Sequence, residues 1–349
     1  LAQGVQQCDL LDRFPSCNTG VTNHGPVVAA VEHLSTQRWP RPTLSGHCTA
    51  MGHETTLSTL RGSLVGRGRF TVVREPRSAL SVALWPYSQV MHAYAISDQV
   101  CGPARFPGLA RGVQAYRSPH GAYRESIGRG KRFFDDNAWV GLAFLQRHLI
   151  SGGAASRSRA RDVDAFVQTG RAADGGIRWV EGGDTINACS TGAGALLHTV
   201  LGGDIRSSLD FLAGLRNPEG LVRDHVRADG SVESSVYSYN QGLLIAAASW
   251  ALQPGLAHEA SEAGEAHFTV QRLWEQPLAF NVIYAKAQLR IGVRKNIEEY
   301  AQRLLDEGRD ERGWFTRAGR YDDGHVLDTA AAVQIFALLE FPQLVARVV

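Results

Sequence analysis

The 349-residue chain balances 36 lysines and arginines against 34 aspartates and glutamates, a formal charge of +2. So even a balance gives no basic footprint for nucleic acid and no charged face for a membrane surface. No apolar run approaches the roughly 18–20 residues of a transmembrane helix. The cysteines (Cys8, Cys17, Cys48, Cys101 and Cys189) are odd in number and lack Cys-x-x-Cys spacing. That argues against a disulfide framework or a zinc site and leaves room for one bridge in the N-terminal part. The opening stretch Leu-Ala-Gln-Gly-Val-Gln-Gln lacks the basic and apolar regions of a signal peptide. A cytoplasmic protein is therefore expected ahead of a secreted one with a processed N-terminus.

Residues 1–76 mix Gly, Pro, Thr and Arg and read as a loop-rich segment packed on the rest, with one short helix expected at Val27–Gln37. Gly66-Arg67-Gly68-Arg69 reads as a solvated loop rather than an RNA contact. From Ser78 onward, helix-period segments alternate with Gly-rich polar connections. The expected helices are Ser78–Gln99, Pro107–Arg117, Asn137–Leu149, Ser156–Thr169, Asn187–Leu201 and Ile205–Arg216. Then come Val236–Leu252, His258–Trp274, Phe280–Val293, Asn296–Gly308 and Leu327–Leu344. No strand run is long enough for a large sheet.

These helices are of two kinds. Pro107–Arg117, Ser156–Thr169, His258–Trp274 and Asn296–Gly308 are amphipathic with charged faces. Asn137–Leu149, Asn187–Leu201, Val236–Leu252 and Leu327–Leu344 are apolar almost all round and must be surrounded by protein. Alternating outer and inner helices predict an all-α (α/α)6 double-layered barrel over residues 77–349. The outer helices show no apolar seam, so a monomer is expected. Gly176-Ile177-Arg178-Trp179, Gly220-Leu221-Val222-Arg223-Asp224 and Gly313-Trp314-Phe315 recur at a helical-hairpin period, the first two about 45 residues apart. Similar turns at the same end of successive hairpins face one rim, where loops assemble a site.

Phe133-Phe134-Asp135-Asp136-Asn137-Ala138-Trp139 sets two acids at the mouth of a buried helix. One aspartate suffices to cap that helix. A second beside it implies carboxyl groups whose pKa values are pushed apart, as a pair acting on a glycosidic bond requires. Retaining glycosidases need carboxyls roughly 5–5.5 Å apart, which neighbouring residues at a helix start can supply. Other inner-helix starts carry Trp85, Tyr87 and Gln89; Trp179 and Asn187; Asp224, Tyr239, Asn240 and Gln241; and Asn281. With Asn137 and Trp139, these offer aromatic faces for sugar rings and amides or acids for hydroxyls. Each alone is explained by core packing or capping; their recurrence at equivalent places carries the reading. His92 and His198, on apolar helices, read as satisfied core histidines, and Asp322-Asp323-Gly324 as a turn.

Rival chemistries lack their motifs. There is no Gly-x-Ser-x-Gly elbow and no His-Glu-x-x-His; His53-Glu54 lacks the second histidine. Ser190-Thr191-Gly192-Ala193-Gly194 has neither dinucleotide spacing nor a P-loop lysine. A terpene-cyclase Asp-Asp-x-x-Asp motif would need an acid where Trp139 stands.

Phe134-Asp135-Asp136-Asn137-Ala138-Trp139 resembles the signature of glycoside hydrolase family 76, the endo-α-1,6-mannanases. The likeness continues through Gly175-Gly176-Ile177-x-Trp179, Asn187-Ala188-Cys189-Ser190 and Tyr239-Asn240-Gln241-Gly242, over roughly Ser78 to Phe341. Trp85-Pro86-Tyr87-Ser88-Gln89 departs from the family's usual Trp-Trp-Gln element. The resemblance implies an (α/α)6 barrel and retaining cleavage of α-1,6-mannan, with Asp135 as nucleophile, Asp136 as acid/base and no metal or cofactor. A transglycosylase using the same pair, or a glycan-binding barrel without turnover, are the alternatives.

Overall fold

The computed structural model describes Ala29 and residues 52–67, 69–76, 78, 80–100, 104–119, 121–315 and 325–349. Outside them lie the expected helix Val27–Gln37 apart from Ala29, the cysteines other than Cys189, and the turn Asp322-Asp323-Gly324.

Six helices form an inner ring: α2 (Leu84–Val100), α4 (Phe134–Ser151), α6 (Ala188–Val200), α8 (Ser238–Trp250), α11 (Leu278–Arg290) and α13 (His325–Glu340). Each packs on the next, and α13 packs on α2, which closes the ring. The outer layer is α1 (His53–Arg61), α3 (Phe106–Gly112), α5 (Ala154–Gln168), α7 (Arg206–Gly214), α9 (Pro254–His267) with the short α10 (Val270–Glu275), and α12 (Lys295–Glu307). Among the described residues this is an (α/α)6 barrel.

The two layers follow from the two sequence textures. On α12 the buried residues are Ile297, Tyr300, Ala301 and Leu304, one stripe at helical spacing with charge opposite. Burying Ile297 and Leu304 contributes on the order of 2 kcal/mol each. Inner α13 is buried continuously from Ala330 to Leu338, having neighbours on every side.

The barrel starts before residue 77, because α1 packs against α13 and supplies the first outer helix. Its polar sequence, HETTLSTLR, concealed it. Between α1 and α2, strands β1 (Leu64–Arg67) and β2 (Phe70–Val73) form a hairpin, so Gly66 and Arg67, expected in a solvated loop, are paired strand residues of β1. The expected helix His258–Trp274 is broken at Phe268, where Thr269 caps α10 by accepting from the Arg272 N–H. The expected start at Ser78 moves to Leu84.

The recurring turns are one structural device. Ala172, Asn217 and Asp310 each donate through the backbone to the residue four ahead, at 2.8, 2.9 and 2.8 Å. Gly175, Gly220 and Gly313 take φ of 89°, 81° and 83° within them, the left-handed region that glycine enters without a Cβ clash. The equivalent of Gly220 is thus Gly175, one residue before the expected Gly176. After each turn one backbone N–H is anchored by the following inner helix: Ile177 on Thr191 Oγ1, Val222 on Gln241 Oε1 and Phe315 on Thr329 Oγ1. Behind the first two turns rise β3 (Ile177–Arg178), β4 (Ile186–Asn187), β5 (Arg223–Val226) and β6 (Val232–Val236), one antiparallel sheet in that order. It stands at the N-terminal ends of α6 and α8.

Candidate active site

Neither aspartate of the acidic pair caps α4. The N-cap is Phe133, and Asp135 and Asp136 lie in the first turn. The helix start is fixed from two sides. Phe134 N–H donates to the Trp179 carbonyl at 2.8 Å and Glu181 N–H to the Arg132 carbonyl at 3.1 Å, so the strand entering α4 pairs with the β3 hairpin. From inside, Asn137 braces the 121–131 loop: its Oδ1 accepts the Tyr123 N–H at 2.7 Å, and its Nδ2 donates to the Tyr123 carbonyl at 2.9 Å and the Phe133 carbonyl at 2.7 Å.

The helix dipole favours negative charge in this first turn by about 0.3–1 kcal/mol, under one pKa unit. Burial acts the other way and is larger. It raises Asp135 to about 6, against the pull of the Asp136 backbone N–H, the Cys189 thiol and the Trp179 indole, which favour its ionised form. Asp136 has no such donors. Burial, the charge of Asp135 and that of Glu125 raise it well above the ordinary carboxylate range. The two adjacent acids therefore sit in unequal environments: donors favour the ionised form of Asp135, while burial and neighbouring charge oppose that of Asp136.

Asp135 Oδ2 accepts from Trp179 Nε1 at 3.2 Å and from Cys189 Sγ at 3.5 Å, whereas its buried Oδ1 has no protein partner. Beyond Cys189 stands a second acid. Asp224 Oδ1 accepts from Tyr239 Oη and Asn240 Nδ2, both at 3.1 Å, while its Oδ2 lies 2.9 Å from His225 Nδ1. Burial first, then the charges of Asp224 and Asp135, raise the Tyr239 phenol well above its ordinary range. Asn187 Oδ1, Asn240 Oδ1 and Trp85 Nε1 are further buried polar atoms without a protein partner. Buried polar groups are normally paired, which makes these atoms exceptions.

Aromatic rings flank these groups. Trp85, Tyr237 and Tyr239 all pack on Phe280, with centroids 6.0, 5.6 and 4.1 Å away. Trp179, 43% exposed, lies 5.0 Å from Phe133. Among the described residues no three His, Cys, Asp or Glu side chains converge as metal ligands do.

No protein-family model and no curated protein matches the chain. Solved structures do. A family 76 glycoside hydrolase from a bovine strain of Bacteroides thetaiotaomicron has a TM-score of 0.71 at 17% identity, over 83% of this chain and 77% of that one. An inactive variant of a Salegentibacter α-1,6-mannanase, with two adjacent aspartates changed to asparagine and α-1,6-mannotriose bound, has a TM-score of 0.67 at 16% identity, over 83% and 98%. The fold is that of the family 76 glycoside hydrolases. A cellobiose 2-epimerase from Spirochaeta thermophila also matches, with a TM-score of 0.62 at 10% identity over 85% and 99%. The family 76 barrel thus shares its architecture with another chemistry, and function must be argued from the site.

Within this family 76 fold, the residues singled out from sequence divide in two. Asp135, Asp136, Trp85, Trp179, Asn187, Asp224, Tyr239 and Asn240 belong to the rim cluster. Five others do not reach it. Tyr87 is buried and donates to the Thr71 and Leu109 carbonyls, tying the β1–β2 hairpin to α3. Gln89 lies inside the ring, where its Oε1 and carbonyl accept from Gln334. Asn137 braces the loop. Trp139, 4% exposed, packs on His92 and under Lys286 in the barrel interior. Gln241 spends its amide on Val222 N–H and the Ala260 carbonyl. Sequence reasoning gave no role to Phe280, Cys189, His225 or Glu125. Phe280 was discoverable from its place before Asn281, at an inner-helix start.

Proposed function

We propose that the protein is a retaining, endo-acting glycoside hydrolase that cleaves α-1,6-mannosidic linkages. One observation carries the reading: the unequal environments of two adjacent carboxyl groups. Asp135, donor-rich and first to ionise, attacks the anomeric carbon as the glycosidic C–O bond breaks. Asp136, which holds its proton, gives it to the departing oxygen. In the second half-reaction Asp136 takes a proton from water, whose oxygen displaces the Asp135 carboxylate and restores both groups. Trp179 and the Trp85–Phe280–Tyr239 cluster offer faces to sugar C–H surfaces. Asn187 and Asn240 offer free carbonyl oxygens to hydroxyl donors.

The sugar is proposed from likeness: the Salegentibacter neighbour is named an α-1,6-mannanase. The test is product release from linear α-1,6-mannan by the parent, Asp135→Asn and Asp136→Asn. Oligomannosides from the parent and none from either folded variant are expected. Products longer than the added oligosaccharide would assign transfer instead of hydrolysis. Full activity in either variant would sink the mechanism.

A further inference from the structure

Cys189 is the second residue of α6 and 7% exposed. It is a free thiol with two oxygen neighbours, Asp135 Oδ2 at 3.5 Å and Ser190 Oγ at 3.9 Å. Burial, and then the charges of Asp135 and Asp224, push the thiol well above its ordinary range. It is therefore an S–H donor at any working pH, neither a nucleophile nor a thiolate ligand. Asp135 is the one acid of the pair it touches. The two carboxylate oxygens of Asp135 are thus unlike: Oδ2 takes the thiol and the Trp179 indole, and Oδ1 takes nothing from the protein.

We propose that Cys189 is a positioning residue for the Asp135 carboxylate: with Trp179 it pins Oδ2 and so sets the rotation of the carboxyl group. The role rests on the glycosidase reading for its catalytic meaning, but not for the contact itself. The two pinning donors approach from different elements. Trp179 lies in the β3–β4 hairpin directly after β3, and Cys189 is the second residue of the helix after β4. Together they fix both the position and the rotation of a carboxyl group on a third element, α4. A thiol suits this task because it is a weak donor. It orients the carboxylate without quenching the charge that must attack. A serine hydroxyl there would bond more strongly and stabilise the carboxylate further. An alanine would leave Oδ2 held by the indole alone.

The test compares the parent with Cys189→Ser and Cys189→Ala, with fold checked by circular dichroism. Asp135 is titrated by NMR of 13C-labelled aspartate, assigned through Asp135→Asn; this needs no substrate. The serine variant should titrate below the parent's value and the alanine variant above it, since the thiol favours the ionised form. In mannan hydrolysis, Cys189→Ala should lower kcat roughly ten-fold, about 1.4 kcal/mol, with KM within about two-fold. The acid limb of each variant should move with its NMR titration. Unchanged Asp135 titrations in both variants would overturn the proposal whether or not mannan is the substrate. So would a raised KM at constant kcat, which would make Cys189 a substrate contact. An inert parent whose Asp135 titration still moves as expected would leave Cys189 in place and remove only the mannan reading.

Discussion

Asn137→Ala separates a brace from a substrate contact. Asn137 stands beside the acidic pair yet is 0% exposed and spends its side chain on three backbone groups. Truncation removes three hydrogen bonds. The Phe133 carbonyl keeps the Asn137 backbone N–H as a partner at 3.2 Å, whereas the Tyr123 N–H and carbonyl lose theirs. Two orphaned buried groups at about 1–3 kcal/mol each give an expected loss of about 3–4 kcal/mol. In equilibrium urea unfolding the midpoint should fall with no change in m. Asn137→Asp should be at least as damaging, because it keeps the acceptor for Tyr123 N–H but turns oxygen toward two carbonyls. A variant within about 0.5 kcal/mol of the parent, with KM raised on mannan, would refute the brace.

Asp135→Asn should stabilise the protein in alkali. The folded pKa of about 6 lies above the ordinary 3.8, so the favourable contribution of this group is complete below the ordinary value and lost as pH rises through 6. The ionised form then costs about 3 kcal/mol at 1.36 kcal/mol per pKa unit. The gain in Tm should be largest at about pH 8 and vanish near about pH 4; a gain independent of pH would contradict the burial argument. The kcat/KM profile should be bell-shaped, its acid limb near the Asp135 value of about 6 and its alkaline limb set by Asp136. Glu125→Gln removes a charge that raises Asp136, so the alkaline limb should move to lower pH; a stationary limb would mean that Glu125 does not act on the acid. Gly242→Ala should destabilise by about 1–3 kcal/mol, since its Cβ would meet the Tyr284 Cα at 2.6 Å and N at 2.8 Å. A neutral result in thermal melts would show that α8 and α11 separate freely.

The alternation of outer and inner layers was legible because each helix answers to one physical question, whether one face or all faces are covered. An outer helix such as α12 shows a stripe, and an inner one such as α13 shows none. The acidic pair was legible for a related reason: a buried helix has no ordinary use for two adjacent charges. What escaped was local. α1 is short and polar, so its buried Leu57 and Leu60 left too faint a period. Strands β3 and β4 are two residues each and have no alternation to detect. Cys189 looked inert in a cysteine count because its meaning depends on Asp135, 54 positions away.

The five misplaced side chains have one cause, and it limits what any inner-helix sequence can disclose. Consecutive residues on a helix point about 100° apart, so Asn240 and Gln241 face different things. Asn240 bonds Asp224 at the rim, while Gln241 reaches back under the Val222 turn. The same step separates Asp136 from Asn137. On an amphipathic helix the apolar stripe sets the phase and decides which polar neighbour points where. An inner barrel helix has no stripe, because apolar contacts surround it. Its polar residues can be located along the axis, near the rim, but not around it. Structural amides such as Gln241 concentrate at the same height as ligand-facing ones, because the rim turns need anchors where the site needs recognition groups. Polar texture at an inner-helix start therefore marks the right end of the barrel, and only the hydrogen-bond partners sort scaffold from site.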